Sequence, residues 1–397
     1  MERHAAPSAQ ESTASSAAEA PTRLWFVDHL RAALVILVVL HHVALVYGAG
    51  APFYYVEPPF TEPLAYIVLL AFALFNQAWF MGALYLIAGY FTPGSYERKG
   101  AGSFLKGRLV RLGIPLLVFY FILSPLSSIG YWQMPAELTG ITDPLSLFAY
   151  PFLLGLGPLW FVALLLIFDF GYALWRRLTR DRAASPARES SPPGYIGVII
   201  FTLALALITY LIRFVIPLGR EILDFPTLGY LPQYLSFFIL GIVANRRDWF
   251  RTTPDSMGVV GFVTALVATV FLFPLALSGQ LFSLELSDPA TFVGNGSWQS
   301  AVYALWDTVL AVGMTLAALT FFRRYFDGDS SLGRFLSQQS YAVYVIHVPI
   351  VVFLAIGLQG VEFPALLMFV LLSVIAVPVC FGLAYLLRKI PGVSRVL

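Results

Sequence analysis

A polytopic bundle of about ten transmembrane helices, all-α throughout, is the fold class this sequence predicts. Three observations lead there. Hydrophobic residues make up 59% of the 397 positions and charged ones only 12%, about half the charge a soluble domain carries. Apolar runs of roughly 20 residues recur along the whole chain, each long enough to cross a bilayer. The basic residues gather at alternate gaps between these runs, the pattern expected of loops on one side of a membrane.

The runs fall at about 25–47, 66–91, 109–130, 158–175, 195–217, 229–245, 257–277, 298–322, 335–357 and 364–388. Each is expected to be helical, because lipid offers no partner for an open backbone. Residues 1–22 are polar and rich in Ala and Ser, without the basic start and apolar core of a signal peptide. They are expected to form a disordered cytoplasmic tail. One membrane domain, 23–390, follows, and 391–397 form a short cytoplasmic end. With a single cysteine, Cys380, no disulfide within the chain can form.

Orientation follows from charge. Arg3, Arg23 and Arg31 precede or open the first run, and Arg98, Lys99, Lys106, Arg108 and Arg111 stand between the second and third. Arg176, Arg177, Arg180, Arg182 and Arg188 follow the fourth, and Arg246, Arg247 and Arg251 the sixth. Arg323, Arg324 and Arg334 follow the eighth, and Arg388, Lys389 and Arg395 the tenth, so 22 of the 24 basic residues share one side. Only Arg213 and Arg220 fall opposite. Both termini are therefore expected in the cytoplasm of a cell with this protein in its plasma membrane. The opposite loops are uncharged or acidic and rich in aromatics, Tyr54, Tyr55, Tyr131 and Trp132 among them. They suit an interfacial aromatic belt or a platform for sugar rings.

Two constellations carry chemistry. In "LRAALVILVVLHH" (30–42), Arg31 and His42 are eleven residues apart. On a helix that is three turns plus about 20°, so they share a face and stand about 16 Å apart along the axis. His41 points some 80° away from that face. Ionisable groups at this depth face the bundle interior rather than lipid. Arg31 either snorkels, paired with Asp28, or serves a ligand; His42 either bonds across helices or acts as a general base. The second constellation, "KGRLVRLGIP" (106–115), clusters Lys106, Arg108 and Arg111. Arginines three apart can grip phosphate in bidentate fashion, while the same charges also serve orientation and lipid headgroups. Asp169 and Asp307, inside apolar runs, are either bundle-stabilising partners or further chemistry.

Both constellations resemble the acyltransferase-3 family of integral-membrane acyltransferases. "DHLRAALVILVVLHH" is similar to its first-helix signature and "KGRLVRLGIP" to its Arg-x-x-Arg block. "FMGALYLIAGYF" (80–91), "GPLWFVALLLIF" (157–168), "LPQYLSFFILGIVA" (231–244) and "SYAVYVIHVPIV" (340–351) resemble four further blocks, in order, from about residue 23 to 390. Within the family the likeness is nearest to glucan-modifying members. One departure is Ala88, where the second block commonly carries Ser before its glycine.

The resemblance implies O-acylation: an acyl group passes from cytoplasmic acyl-CoA, a substrate rather than a resident cofactor, to a hydroxyl of an extracytoplasmic glycan. It implies His42 as base with Arg31 positioning the donor, and Arg108, Arg111 and Lys106 on CoA phosphates. His347 and Trp160 stand as acceptor-side or supporting residues. A transporter or flippase of a glycan or lipid-linked substrate is the rival class, since a polar bundle interior suits both, although no internal repeat is visible. No metal-ligand cluster, P-loop or nucleophile elbow is present, and the scattered basic residues do not form a nucleic-acid footprint.

The orientation has a direct test. A cysteine replacing Ser190, between the fourth and fifth runs, should resist membrane-impermeant thiol reagents in sealed cells and react after permeabilisation. Labelling from outside would invert the topology.

Overall fold

This computed structural model describes residues 23–50, 53–57, 62–179, 191–278 and 293–397. The expected N-terminal tail and the positions Arg180, Arg182, Arg188 and Ser190 lie outside the described residues. Ten helical segments build the bundle: α1 (Trp25–Val46), α2 (Pro63–Arg108), α3 (109–133), α4 (Trp160–Leu178), α5 (Tyr195–Arg213), α6 (Leu231–Arg247), α7 (Asp255–Ala276), α8 (Trp298–Tyr325), α9 (Ser331–Gly357) and α10 (Ala365–Arg388). There is no named strand among the described residues.

Nine helical runs among the described residues are long and apolar enough to cross a membrane, because α2 and α3 form one continuous run of 71 residues. At 1.5 Å per residue that run would measure about 107 Å if straight, more than three hydrocarbon thicknesses. It is not straight. Gly100 takes a left-handed conformation (φ 71°, ψ 164°) that breaks the helix and that glycine adopts without steric cost. The chain folds back there, as Arg108 shows: its Nη2 donates to Thr92 Oγ1 at 3.3 Å, although 16 residues of straight helix would separate them by about 24 Å. The run therefore makes two passes, in agreement with the ten segments expected.

The third segment is less regular than its apolar pattern suggests. π-Helical turns at Leu109–Gly113 and Phe119–Leu123 interrupt it. Prolines explain both. Pro115 and Pro125 carry no N–H, so the carbonyls four residues earlier, on Arg111 and Phe121, lose their helical donors. Two tyrosine hydroxyls replace them: Tyr341 donates to the Arg111 carbonyl at 2.6 Å and Tyr150 to the Phe121 carbonyl at 2.7 Å. In lipid such replacements are obligatory.

Helix α1 is the core of the bundle, buried along most of its length and packed against α2, α8, α9 and α10. Helices α5 and α7 are peripheral and turn leucines, isoleucines, valines and phenylalanines outward. Helices α2 and α6 approach closely at glycines. A methyl group on Gly89 would collide with the Phe238 carbonyl, and one on Gly241 with the Leu86 carbonyl. Small residues at such contacts are how membrane helices gain packing energy.

Both acidic residues expected within apolar runs are paired. Arg213 and Asp307, buried on α5 and α8, form a 2.5 Å ion pair, and Arg213 also lies over the rings of Tyr230 and Tyr303. This accounts for one of the two arginines outside the positive-side loops. Asp169 of α4 meets Arg108 at 3.1 Å.

Removing one member of a buried pair strands a charge and costs about 3–5 kcal/mol, whereas replacing both with apolar residues is close to neutral. Arg213→Met should accordingly destabilise the folded protein in detergent unfolding measurements, and Arg213→Met/Asp307→Leu should recover most of the loss. Equal loss in the single and double variants would show that the pair contributes something other than mutual neutralisation.

Candidate active site

Four positions on one face of α9 organise the site: Ser337, Tyr341, Tyr344 and His347. Their spacing of four, three and three residues forms a single stripe on a helix. The stripe meets α1 twice. Arg31 Nη2 donates to the Ser337 carbonyl and approaches its hydroxyl, both at 3.4 Å, and His42 meets His347. Both contacts advance together along the two chains, so α1 and α9 run parallel. The shared face of Arg31 and His42 is thus the face turned to α9.

At one end of the stripe stand the cations. Arg31 also pairs with Asp28 at 3.1 Å, which is the local pairing its sequence neighbourhood suggested. Arg111 is exposed and lies close enough for its charge to act on Arg31. Lys106 is exposed nearby in the chain. Arg108 is placed differently. Its Nε lies 3.1 Å from Asp169 Oδ2 and its Nη2 reaches Thr92, whose hydroxyl in turn reaches Asp169 Oδ1 at 3.3 Å. Arg108 and Arg111 therefore do not stand as two equivalent arms: one is anchored to a buried carboxylate, the other is presented.

At the other end, His42 and His347 share a contact of 3.2 Å between His42 Nδ1 and His347 Nε2. His42 Nδ1 also lies 2.7 Å from the Val38 carbonyl, and His347 Nδ1 lies 2.7 Å from the Tyr344 carbonyl. A carbonyl only accepts, so both Nδ1 atoms carry the hydrogen in the neutral rings. His42 Nδ1–H then donates to Val38 and to the lone pair on His347 Nε2. The consequence decides the chemistry. His42 Nε2 is left with its lone pair, as a base requires, and His347 can stabilise the positive ring that forms when Nε2 takes a proton.

His42 opens into a cavity of ≈ 690 Å³. Val38, His41, His42 and Tyr344 form its inner wall; Tyr54, Tyr66, Phe152, Trp160, Tyr230 and Tyr303 are among the aromatics around it, with Glu221 and Asp224 the acidic groups. The loop residues that line it come from the gaps α1–α2, α3–α4, α5–α6 and α7–α8, all on the side opposite the arginine-rich loops. Trp160 stacks on Tyr234 at 5.5 Å and 25°. Tyr54, in the first of these loops, donates to Ser124 Oγ at 3.1 Å, since the Ser124 hydrogen goes to the Leu153 carbonyl, and burial pushes its phenol above its ordinary value. The Tyr344 hydroxyl donates to the Pro158 carbonyl, tying α9 to the entry of α4.

Comparison with known proteins fits this geometry. Residues 24–385 match a family profile described as an acyltransferase domain. The chain belongs to the acyltransferase-3 family. It is an acyltransferase and a multi-pass membrane protein. Among curated proteins it is similar to "Glucans biosynthesis protein C" of Salmonella typhi, of Salmonella typhimurium (strain LT2) and of Salmonella heidelberg (strain SL476). Each is 26% identical over 344 residues, covering 83% of this chain and 83% of the relative. No solved structure matches.

The structure brings Arg31, His42 and His347 to the α1–α9 contact and sets Trp160 and Tyr54, both singled out in the sequence, in the wall of the cavity beside His42; Tyr341 and Ser337 were not singled out. Pro115, four residues after Arg111, was the available signal for Tyr341, since it leaves a carbonyl that some hydroxyl must satisfy.

If His347 holds the His42 tautomer and stabilises its charged form, His347→Leu should lower turnover while leaving the protein folded. Loss of a hydrogen bond to a charged group is worth about 1.5–3 kcal/mol, or roughly ten- to a hundredfold in rate. His347→Gln, which can still accept, should lie between the two. Full activity in a folded His347→Leu protein would remove this role.

Proposed function

We propose that this protein O-acylates a glucan or related carbohydrate on the extracytoplasmic side of the plasma membrane, using acyl-CoA drawn from the cytoplasm. The observation that carries the reading is the His42 ring: its Nδ1 is committed to a carbonyl, which leaves Nε2 as a base beside an aromatic-walled cavity. The name of the relatives supplies the glucan. The parallel α1–α9 stripe links this base to a cationic mouth about 16 Å away along α1.

In this reading Arg111 and Lys106, both exposed, hold the CoA phosphates. Arg108, oriented by Asp169, adds the remaining edge of its guanidinium, and Arg31 steers the donor toward α9. The thioester arm then lies along the stripe toward His42. The acceptor hydroxyl enters from the other side against Trp160 and Tyr54, whose rings suit the apolar faces of sugars. His42 Nε2 removes the hydroxyl proton as the oxygen attacks the thioester carbon. His347 shares the developing charge, and the departing thiolate recovers the proton.

Reconstituted vesicles test the scheme, with acetyl-CoA or a longer or dicarboxylic acyl-CoA inside, glucan outside, and free thiol as the readout. His42→Ala should lower turnover by about 10²–10⁴-fold while CoA still binds. Arg111→Ala should do the reverse, weakening CoA binding about ten- to a hundredfold with the chemical step less affected. Normal turnover in His42→Ala, or no acyl-CoA consumption by the unmodified protein, would reject it.

A further inference from the structure

His41 takes no part in the scheme above, yet it lines the same cavity as His42. It is only 9% exposed, and its Nδ1 is buried with no hydrogen-bond partner. Phe80 lies 5.3 Å from its ring on one side, and His42 meets it edge-on at 5.3 Å and 77°. An imidazole buried among apolar groups without any bond is costly, and such groups in a native fold call for an explanation.

The tautomer supplies one. A neutral imidazole carries one N–H. On Nδ1 that hydrogen would be a buried donor with nothing to accept it. On Nε2, which unlike Nδ1 is not a buried atom without a partner, it can reach a ligand in the cavity that His41 lines. Adjacent histidines therefore present opposite polarity to one space: His42 Nε2 offers a lone pair because Val38 holds its other hydrogen, and His41 Nε2 offers a hydrogen because nothing receives one at Nδ1. A base and a donor side by side are what acyl transfer requires.

We propose that His41 is a catalytic residue that donates its Nε2–H to the carbonyl oxygen of the transferred acyl group and stabilises the tetrahedral oxyanion. This rests on the reading of His42 as the base. In the step, the acceptor oxygen forms a bond to the thioester carbon as its proton passes to His42 Nε2. The carbonyl π pair moves onto oxygen, which accepts the His41 hydrogen bond. Collapse of the oxyanion restores the C=O and breaks the C–S bond, and the thiolate leaves with the proton held by His42. No other reactant is consumed. His41 keeps its hydrogen throughout.

The test uses the full chain in the vesicle assay described above and compares three substitutions. A glutamine amide reaches the place of Nε2, an asparagine amide that of Nδ1, and leucine offers no donor. His41→Leu and His41→Asn should lower kcat by about 10²–10³-fold with little change in KM for acyl-CoA, and His41→Gln should retain about a tenth of normal turnover or more. Turnover of His41→Leu within about threefold of normal, or an equal fall in the Gln and Asn variants, overturns the proposal. Should His41→Leu fail to assemble, the Gln and Asn pair alone decides. Failure of the underlying reading looks different: His42→Ala would turn over normally, or the unmodified protein would leave acyl-CoA untouched.

Discussion

The parallel contact between α1 and α9 is the interaction on which the rest depends. Between Arg31 and the histidine pair, α1 offers only Ala, Val, Leu and Ile. In lipid, apolar surface of that kind packs almost equally well in several registers, because leaving it exposed to acyl chains costs little. Polar contacts therefore choose the register. Arg31 on Ser337 and His42 on His347 pin α1 at two levels, and Tyr341 on the Arg111 carbonyl brings α3 to the same stripe. If the helices slid, His347 Nε2 and the Arg111 carbonyl would lose their partners, and an unsatisfied group inside the bilayer costs far more than a lost methyl contact.

The charges divide into two kinds. Arg213 with Asp307, and Arg108 with Asp169, are neutralised within the bundle and tie helices together. Asp28 pairs with both Arg23 and Arg31, and Arg111 stands exposed close by, so a positive potential remains at that end. At the far end the described cavity wall is made of aromatic rings with the acidic Glu221 and Asp224, and Arg213, behind Tyr230 and Tyr303, is neutralised by Asp307. On the proposed reading, an anion-attracting mouth and a sugar-compatible cavity stand at opposite ends of the α1–α9 stripe, joined by His42 and His347. An arrangement with a single base between two unlike surfaces suits transfer of a group between two different substrates better than passage of one substrate through.

The two prolines of α3 illustrate how local defects are put to use. Pro115 and Pro125 each leave a carbonyl without its donor, and each carbonyl is met by a tyrosine from elsewhere in the chain. The two prolines accompany π-helical turns, and Arg111 stands in the first of these rather than on a regular α-helix. Irregular backbone at membrane depth persists only where protein satisfies it.

Composition and periodicity by themselves determined that this is a helical membrane protein with ten passes, and that Arg31 and His42 share an interior face. Those are local properties: an apolar run must be helical in lipid, and helix geometry then sets which side chains align. The sequence set Asp169 and Asp307 inside apolar runs, as bundle-stabilising partners or as further chemistry, and did not say which arginine either would take. Tertiary structure alone decided that Arg108 turns inward to Asp169 while Arg111 stays presented, that His42 and His347 lock one tautomer, and that His41 is left unpartnered. Each of these depends on which helices are neighbours and at what height they cross, and no spacing within a single run carries that information.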